Sequence, residues 1–396
     1  MDTDSQARAS VAAAKNEAYN RASVQRAFRD LLERMDPPLP KVICKGDHVL
    51  VKPFLRHGNA GPDSRLVSHP EVVRMVIEAV KDCGAVVTVG DAGLGNRRDN
   101  SYLPNGKVLQ DIAKSSGANL VSFAEAGARY VKSGLVYPRR YLISRAVLDS
   151  DKVIGCGNFQ PHGRLMLSGA VKNMFNALVG KCQGQLHSLF PCPDDISRVI
   201  VDVCAVVNPT VSFLDLTTVR DLAGTANITP IGLILASSDP VALDAVAARA
   251  TGFSYANAPT VRRGHQVGLG CSDPNKISVV GLDWQEMQFE QVKEFPSLDR
   301  ASEGFYAKTS RFVNNVVLRP GLVVNQAVCS GCGECHRLCP IHSINRGVDG
   351  KFRIDQRKCA RCDLCIDACD GNAVDLQFGS VKELIRRLKN KSPTVL

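Results

Sequence analysis

The chain has 396 residues, of which 44% are hydrophobic and 22% charged, a composition that excludes a disordered or fibrous protein. Aromatic residues make up only 6%, with a single Trp, which disfavours an aromatic stacking platform for nucleic acid. The net charge of +10 favours an anionic partner, which can be nucleic acid, an acidic electron-donor protein or an anionic small substrate. No apolar run is long enough to span a membrane and no secretory signal is recognisable, so we expect a cytoplasmic protein. In such a compartment the 15 cysteines indicate metal ligands or redox thiols rather than disulfides.

Residues 1–40 are predicted to be a helical extension with an amphipathic helix at Asn20–Met35. From residue 41 onward strand and helix patterns alternate. Ser68 and Glu71 form a capping box for one helix, and Asp239 precedes Pro240 as the cap of another. The predicted strands are 48–55, 85–90, 119–123, 151–156, 210–216, 231–237 and 277–281, and the other helices are near 107–116, 168–180 and 195–207. This alternation predicts an α/β domain over residues 41–318 with an open, mostly parallel sheet.

Ligands bind such sheets beyond the carboxyl ends of the strands, so polar residues there are site candidates. Asp91 follows a buried strand and begins the glycine-rich turn that contains Gly93. The glycine spacing does not match a dinucleotide-binding loop, which favours a turn that contacts another kind of ligand. Asp215 lies near the end of the apolar strand 210–216 and is the best candidate among the other acids. Asp239 is explained by helix capping alone.

The segment 158–187 interrupts apolar, helix-like spacing with polar residues. On a helix Ser168, Lys172 and Asn176 share one face, and Asn173 lies on the neighbouring stripe. His162 precedes this helix and His187 follows it. A desolvated Lys and a His in one pocket can supply protons or hold an anion, which makes these residues catalytic candidates. The structural alternative is a surface Lys with satisfied amides and structural histidines.

Eight cysteines lie in two runs near the C-terminus, 329–340 and 359–370, each with the spacing Cys-x2-Cys-x2-Cys-x3-Cys. Three cysteines of a run hold one cubane and the fourth ligates the other cubane. The spacing therefore predicts two [4Fe–4S] clusters in an α+β domain over residues 319–380, followed by a basic helix or tail over 381–396. Structural zinc is the alternative, but zinc sites pair two Cys-x2-Cys knuckles across a longer loop. The predicted ligand sets are Cys329, Cys332, Cys335 and Cys369 for one cluster, and Cys359, Cys362, Cys365 and Cys339 for the other.

Between the runs, an Asp-Gly turn at 348–351 predicts a hairpin. The cysteine segment resembles the bacterial two-cluster ferredoxin over about residues 322–378. It departs from that pattern at Asp370, where the ferredoxin has Pro, and we expect this carboxylate to shift the potential of the nearer cluster. The seven remaining cysteines show no ligand spacing and are predicted to be mostly small core residues.

The order of VLVKPF, SHPEVV, TVGDAG, the His-then-Lys-Asn segment, FLDL and SSDPVALDAVAARATG resembles the bacterial family called domain of unknown function 362, over about residues 40–285. The resemblance implies a ferredoxin-fused α/β redox protein whose chemistry is unassigned for most members. Two positions depart from the family pattern. The family has Lys-Pro-Asn where this chain has Phe54 after Lys-Pro, and it has a Lys before the His where this chain has Gln160, so the substrate is expected to differ from that of relatives. The His-Gly-Lys order also loosely resembles nickel-pincer lactate racemases. The positions that match the domain of unknown function 362 family are Lys52, Asp91, His162, Lys172, Asn173, Asp215, Asp239 and Asp244.

These observations lead to the hypothesis of an iron–sulfur reductase. An external ferredoxin, flavodoxin or reductase supplies electrons, and a small, anionic organic substrate binds in the α/β domain. The expected catalytic residues are His162, Lys172, Asp215, Asp91 and His187, and the expected substrate-binding residues are Lys52, Asn173, Asn176, Ser168 and Gly93. The alternative is an electron-carrier subunit whose α/β domain only docks a partner. A nucleic-acid-binding sensor is disfavoured because no helix-turn-helix or focused basic stripe is present. A homo-oligomer is compatible with the sequence.

Overall fold

The computed structural model describes residues 9–55, 67–92, 104–133, 139–163, 165–179, 182–190, 192–220, 228–283, 321–339, 342–359 and 373–377, together with 365, 369 and 371. The chain divides into two compact units. The first comprises Met1–Leu186 and Pro193–Phe295, and the second comprises His187–Cys192 and Pro296–Leu396.

The first unit is built on one eight-stranded sheet. Its strands are β1 Ala9–Lys15, β2 His48–Pro53, β3 Val86–Asp91, β4 Asn119–Ser122, β7 Lys152–Asn158, β10 Val211–Arg220, β11 Ile228–Ser237 and β12 Ile277–Val280. They lie in the order β12-β1-β11-β10-β7-β2-β3-β4. Strand β11 is antiparallel to both neighbours and every other pairing is parallel. The predicted mostly parallel α/β sheet is therefore confirmed.

Helices cover the sheet with apolar stripes. Helix α3 buries residues at helical spacing (Val72, Val73, Val76 and Val80 among them), while α9 is buried along most of its length. Two hairpins lie outside the sheet, β5 Ala128–Ser133 with β6 Arg139–Ser144 and β8 Gln160–His162 with β9 Met166–Ser168. The helices are α1 Arg21–Arg34, α2 Leu39–Val42, α3 Pro70–Asp82, α4 Pro104–Ser115, α5 Arg145–Leu148, α6 Ala170–Asn173, α7 Cys182–Leu189, α8 Pro193–Val207, α9 Pro240–Ala250 and α10 Pro259–Gln266, with 3-10 turns at Met174–Ala177, Tyr255–Asn257 and Pro274–Lys276.

The N-terminal segment corrects one expectation. Residues 1–40 contain the expected helix α1, capped by the Asn20 side chain, but also the unexpected strand β1. This strand lies inside the sheet, between β11 and β12. Its sequence ASVAAAK is alanine-rich, and alanine favours helices in isolation. Burial of small side chains between two strands overrides that preference.

Two local predictions in the site region are also wrong. Ser68 does not cap α3, because Pro70 begins that helix and His69 is its cap. The Ser68 hydroxyl instead accepts from Phe54 N and donates to Cys156 O. The helix expected at 168–180 is reduced to α6 and a following 3-10 turn, because residues 166–168 pair with β8 as a hairpin. Ser168 therefore lies on a strand and does not share a helix face with Lys172.

Within its described residues, the second unit has two strand pairs and a short helix. β13 Gly321–Val324 pairs with β16 Val374–Gln377, and β14 Ile344–Arg346 pairs with β15 Phe352–Ile354. The second pair is the predicted hairpin, with Gly350 in the left-handed region at φ 75°. Helix α11, Glu334–Leu338, carries Cys335, and Cys339 is its C-cap.

Candidate functional site

The carboxyl ends of four neighbouring parallel strands bring the predicted α/β-domain residues to one edge of the sheet. In the register, Lys52 of β2 lies beside Gly155 of β7, and Asp215 of β10 lies beside Asn158, the last residue of β7. Asp91 is the last residue of β3. This edge, from β3 to β10, is called the sheet-edge site below. Parallel sheets place their ligand sites at this edge.

Lys52 and Asp91 form an ion pair at the sheet-edge site. Lys52 Nζ lies 2.6 Å from Asp91 Oδ2, and both side chains are 0% exposed. The ammonium also donates to Asn173 Oδ1 at 2.9 Å and to Pro53 O at 3.3 Å, so three acceptors surround it. Burial lowers the pKa of Lys52, while the Asp91 charge acts in the opposite direction. A buried ion pair often adds little net stability compared with an apolar pair of similar volume, and perturbed ionisable groups concentrate at functional sites, so this pair is a candidate for a functional or positioning role.

Asn173 connects this pair to helix α6. Its Nδ2 donates to Lys52 O at 3.2 Å, while its Oδ1 accepts from Lys52 Nζ. The start of α6 is held by a buried carboxylate, because Ala170 N and Val171 N donate to Asp244 at 2.6 and 3.1 Å. Burial raises the pKa of Asp244 to about 7, against the lowering effect of these two bonds. Asp244 therefore positions the helix that carries Asn173.

Asp215 is the centre of a second hydrogen-bonded group at the same edge. Its Oδ2 accepts from Tyr19 Oη at 2.9 Å and its Oδ1 accepts from Thr217 N at 2.8 Å. The register of β10 shifts between Leu216 and Thr218, and such bulges re-aim side chains next to functional sites. Asn16 fixes the bulge by donating to Thr217 Oγ1 at 2.8 Å.

Tyr19 is half-buried, and its ring stacks on His69 with the ring centroids 4.0 Å apart. Neither residue was a sequence candidate, because the strand preceding Tyr19 was not recognised. The signal that could have found Tyr19 is a strand ending at Lys15 and followed by the polar run Asn16–Asn20. Asp244 was noted only as a position shared with a family, and it is burial that gives it a role.

The other predicted site residues lie on several different elements. His162 is half-buried at the end of β8, and its Nδ1 accepts from Leu165 N at 3.2 Å. Asn176 is half-buried with Nδ2 3.5 Å from Leu55 O, and Lys172 is half-buried on α6. Ser168 is buried on β9. Gly93 lies outside the described residues, and His187 is a buried residue of the second unit.

The second unit buries cysteines of both runs in one core. Cys335, Cys339 and Cys365 pack with Phe352, Ile344, Leu322 and Val374, and Cys359 and Cys369 lie against this core. Burial, and next the nearby Cys369, raise the pKa of the Cys335 thiol to about 11, with smaller contributions from Cys332 and Cys329. These three neighbours are the other predicted ligands of the first cluster. Cys362 lies outside the described residues.

The thiol environment fits iron–sulfur clusters. Backbone N–H groups donate to two of the sulfurs, Ser343 N to Cys339 Sγ at 3.2 Å and Ala373 N to Cys369 Sγ at 3.1 Å, and such bonds tune cluster potential. Gly331, between Cys329 and Cys332, has φ 74°, and a Cβ there would lie 2.9 Å from Gly350 O. The loop therefore needs glycine to place its cysteines. No group of three His, Cys, Asp or Glu arranged for a single metal ion occurs among the described residues.

Two family profiles match the chain. The profile described as Domain of unknown function (DUF362) covers residues 49–249, half of the chain. The chain belongs to this family. The profile described as 4Fe-4S dicluster domain covers residues 321–370, so the family domain is followed by an iron–sulfur domain, as the sequence predicted. The assignment of an iron–sulfur domain agrees with the buried thiols of the second unit.

Relatives of this family member fall into two groups. The thylakoid-associated protein sll1697 of Synechocystis is 28% identical over 66% of this chain and 80% of its own length. Two others match only the cysteine-rich region. A subunit of the Na(+)-translocating ferredoxin:NAD(+) oxidoreductase complex of Acetobacterium woodii is 38% identical over 12% of this chain and 14% of its own. Pyruvate synthase subunit PorD of Methanocaldococcus jannaschii is 31% identical over 13% and 60%. Electron transfer by the iron–sulfur domain is the function these matches support.

Among solved structures, the lactate racemase apoprotein of Thermoanaerobacterium thermosaccharolyticum is similar to the family member with a TM-score of 0.38 and 14% identity. The match spans 61% of this chain and about half of the racemase, 56% of its length. Among the described residues, no helix has the length and apolar character needed to traverse a bilayer.

Proposed function

We propose that this family member is an iron–sulfur oxidoreductase that reduces an organic substrate at the sheet-edge site. The observation that carries the proposal is the fully buried Lys52–Asp91 pair, hydrogen-bonded to Asn173, in a chain that also has an iron–sulfur domain. A buried charged pair costs free energy of desolvation, and perturbed ionisable groups concentrate at functional sites. Their position at the carboxyl edge of parallel strands supports a ligand site.

The proposal divides the chain into an α/β substrate domain over about residues 41–318 and a cluster domain over about 319–380. When bound, two [4Fe–4S] clusters supply electrons one at a time. Cys329, Cys332, Cys335 and Cys369 would hold one cluster, and Cys359, Cys362, Cys365 and Cys339 the other. An external ferredoxin, flavodoxin or reductase is the electron donor. The basic charge favours a small anionic substrate.

Within the sheet-edge site the side chains take different roles. Lys52 holds Asp91 and Asn173 in place, because its three donors are directed at protein acceptors. His162 and Lys172 are half-buried, which suits proton donors that reach a bound substrate. Asn176, Ser168 and Gly93 remain proposed substrate contacts, and Asp91 and Asp215 remain proposed catalytic residues of this site. His187 also remains a proposed catalytic residue, but it belongs to the second unit and is not assigned to the sheet-edge site.

The test uses the full chain, reconstituted with iron and sulfide without oxygen and reduced with dithionite. A 2-oxo acid, an enone and a quinone are added separately, and recovery of the cluster absorbance is followed. We expect saturable reoxidation by at least one compound. His162→Ala and Lys172→Ala should then lower kcat by about 10²- to 10⁴-fold, the usual contribution of a general acid. Lys41→Ala, at an exposed Lys on α2, is the matched control and should leave kcat unchanged.

A second candidate function is an electron-carrier subunit whose α/β domain docks a partner. It is favoured by the two partial relatives, since both are named as subunits. The carrier predicts rapid electron exchange with a bacterial two-cluster ferredoxin but no saturable reoxidation by any small compound. That pair of results would overturn the reductase proposal.

A further inference from the structure

We infer that Tyr19 and Asp215 form a proton relay in which Tyr19 donates to the oxygen of a carbonyl substrate. The inference rests on the proposed function and adds a residue and a substrate class to it. Tyr19 Oη lies 2.9 Å from Asp215 Oδ2, and Thr218 Oγ1 lies 3.4 Å from the same phenol oxygen. A phenol bonded to a carboxylate is a pair that can pass a proton in either direction.

The two side chains of the relay differ in burial, which distinguishes an inner from an outer end. Asp215 is 2% exposed, whereas Tyr19 is half-buried and so retains an accessible part. Asp215 is therefore the enclosed end of the relay, and Tyr19 is the more exposed end. By contrast, Lys52 and Asp91 are 0% exposed, so their charged groups are enclosed.

The surrounding contacts hold the relay in one geometry. The second carboxylate oxygen of Asp215 accepts from Thr217 N, which leaves Oδ2 aimed at Tyr19. Asn16 donates to Thr217 Oγ1, and Ser23 Oγ donates to Asn16 Oδ1 at 2.9 Å, so the bulge is tied to the segment that carries Tyr19. Stacking on His69 fixes the ring plane of Tyr19. Preorganised groups of this kind cost little reorganisation when a proton moves.

The relay accounts for one of the two protons in a carbonyl reduction. In the structure the Tyr19 hydroxyl donates to Asp215 Oδ2. In the relay this bond reverses: when Asp215 is protonated, its hydroxyl donates to Tyr19 Oη and the Tyr19 hydroxyl turns its proton to the ligand. The substrate carbonyl takes up two electrons from the iron–sulfur domain and two protons, so the C=O bond becomes a C–O single bond and one C–H and one O–H bond form. The oxygen takes the Tyr19 proton, Tyr19 takes the Asp215 proton, and Asp215 is left ionised. The carbon takes its proton from water, and water later reprotonates Asp215.

The relay predicts a spectroscopic signature that does not depend on turnover. In infrared spectra of the full holo-protein between pH 5 and 8, a carboxylic acid C=O band should be present that is lost in Asp215→Asn and kept in Asp244→Asn, which removes the separate band of Asp244. Tyr19→Phe removes only the hydroxyl and should shift this band, because the hydrogen bond to the carboxyl is gone. Tyr130→Phe, at a 64% exposed tyrosine of β5, is the matched control and should leave the band in place. Absence of an Asp215 band, or no shift in Tyr19→Phe, would overturn the relay.

Turnover supplies the second arm, with the ketone 2-oxobutyrate and the aldehyde glyoxylate as the carbonyl probes. Tyr19→Phe should lower kcat by about 10²- to 10⁴-fold with KM changed by no more than a few-fold, since the lost group acts in the transition state. A kcat within twofold of wild type would contradict the relay while leaving the reductase proposal intact. If the wild type reduces neither probe but shows the shifted infrared band, the proton link stands and the proposed function fails.

Discussion

At the residue scale, the contribution of the sheet-edge site to the free energy of unfolding depends on Lys52 and Asp91 being present together. Both side chains are fully buried, and the ammonium has three acceptors around it. Removing one member leaves the other as an uncompensated buried charge. Replacing both with apolar residues of similar volume removes the charge problem entirely. The two kinds of substitution therefore have different expected outcomes.

Lys52→Met should lower the free energy of unfolding by about 3–5 kcal/mol, because Asp91 is left buried without its cation. The double variant Lys52→Met with Asp91→Leu should restore most of that loss. Urea unfolding followed by circular dichroism measures both. Loss of an exposed ion pair changes the free energy of unfolding by about 1 kcal/mol or less. A change that small in Lys52→Met would mean that Asp91 does not need the Lys52 charge for stability.

Asp244 predicts a pH dependence of stability. Its pKa is raised from the ordinary 3.8 to about 7, first by burial and to a lesser extent by the nearby Asp239. The folded state therefore binds this proton more tightly than the unfolded state. The resulting stabilisation is complete below pH 3.8 and is lost as pH rises through about 7. Between pH 5 and 6.5 the wild type should lose up to about 1.4 kcal/mol of unfolding free energy per pH unit relative to Asp244→Asn. Parallel stability curves for the two proteins would refute this assignment.

At the element scale, helix α6 is positioned by contacts rather than by its own length. It has four residues, Ala170–Asn173, and its N-terminus is capped by Gly169 next to the Asp244 carboxylate. A Cβ on Gly169 would lie 2.1 Å from Asp244 Oδ1, so no larger residue fits there without a shift. Because Asn173 ends α6 and bonds to Lys52, a shift of this helix reaches the ion pair.

Gly169→Ala should lower the free energy of unfolding by about 1–3 kcal/mol, the cost of an extra methyl group in a tightly packed position. Gly157→Ala is the control, because its Cβ would meet Leu214 Cδ1 at an ordinary 3.4 Å and Asn173 Nδ2 at 3.6 Å. Thermal or urea unfolding compares the two variants. Equal losses in both would show that the contact with Asp244 is not the cause.

At the scale of the whole molecule, the two proposed clusters predict the iron content of each chain. Reconstitution without oxygen should give about eight irons per chain, as two [4Fe–4S] clusters require. Structural zinc would instead give about one or two zinc ions and no iron. Iron and zinc analysis of the purified holo-protein decides between them.

Paired substitutions test whether the cysteine runs are interlocked. If Cys335 and Cys369 ligate the same cluster, the double Ala variant should keep about four irons. The double variant at Cys335 and Cys339 should then lose both clusters. The opposite pattern would mean that each run holds its own cluster. Cys204→Ala, at a buried cysteine of helix α8, is the control and should keep about eight irons.

The sequence by itself determined the parts of this protein that depend on local spacing. The alternation of strand and helix patterns was enough to predict a mostly parallel sheet, because helices that connect successive strands return the chain to the same end of the sheet. Cysteine spacing was enough for an iron–sulfur domain, because ligands of one cluster must lie within a short loop. Asp239 as the cap of α9 likewise followed from adjacent residues.

Only the tertiary structure decided which polar residues meet. Tyr19 and Asp215 are 196 positions apart in the chain, and Lys52 and Asn173 are 121 apart, so no local pattern joins them. Strand β1 was missed because its alanines favour helix until neighbouring strands bury them. Ser168 was expected on a helix, but strand pairing with Gln160 takes that segment into a hairpin. The site is made by strand register and burial, which are properties of the whole sheet.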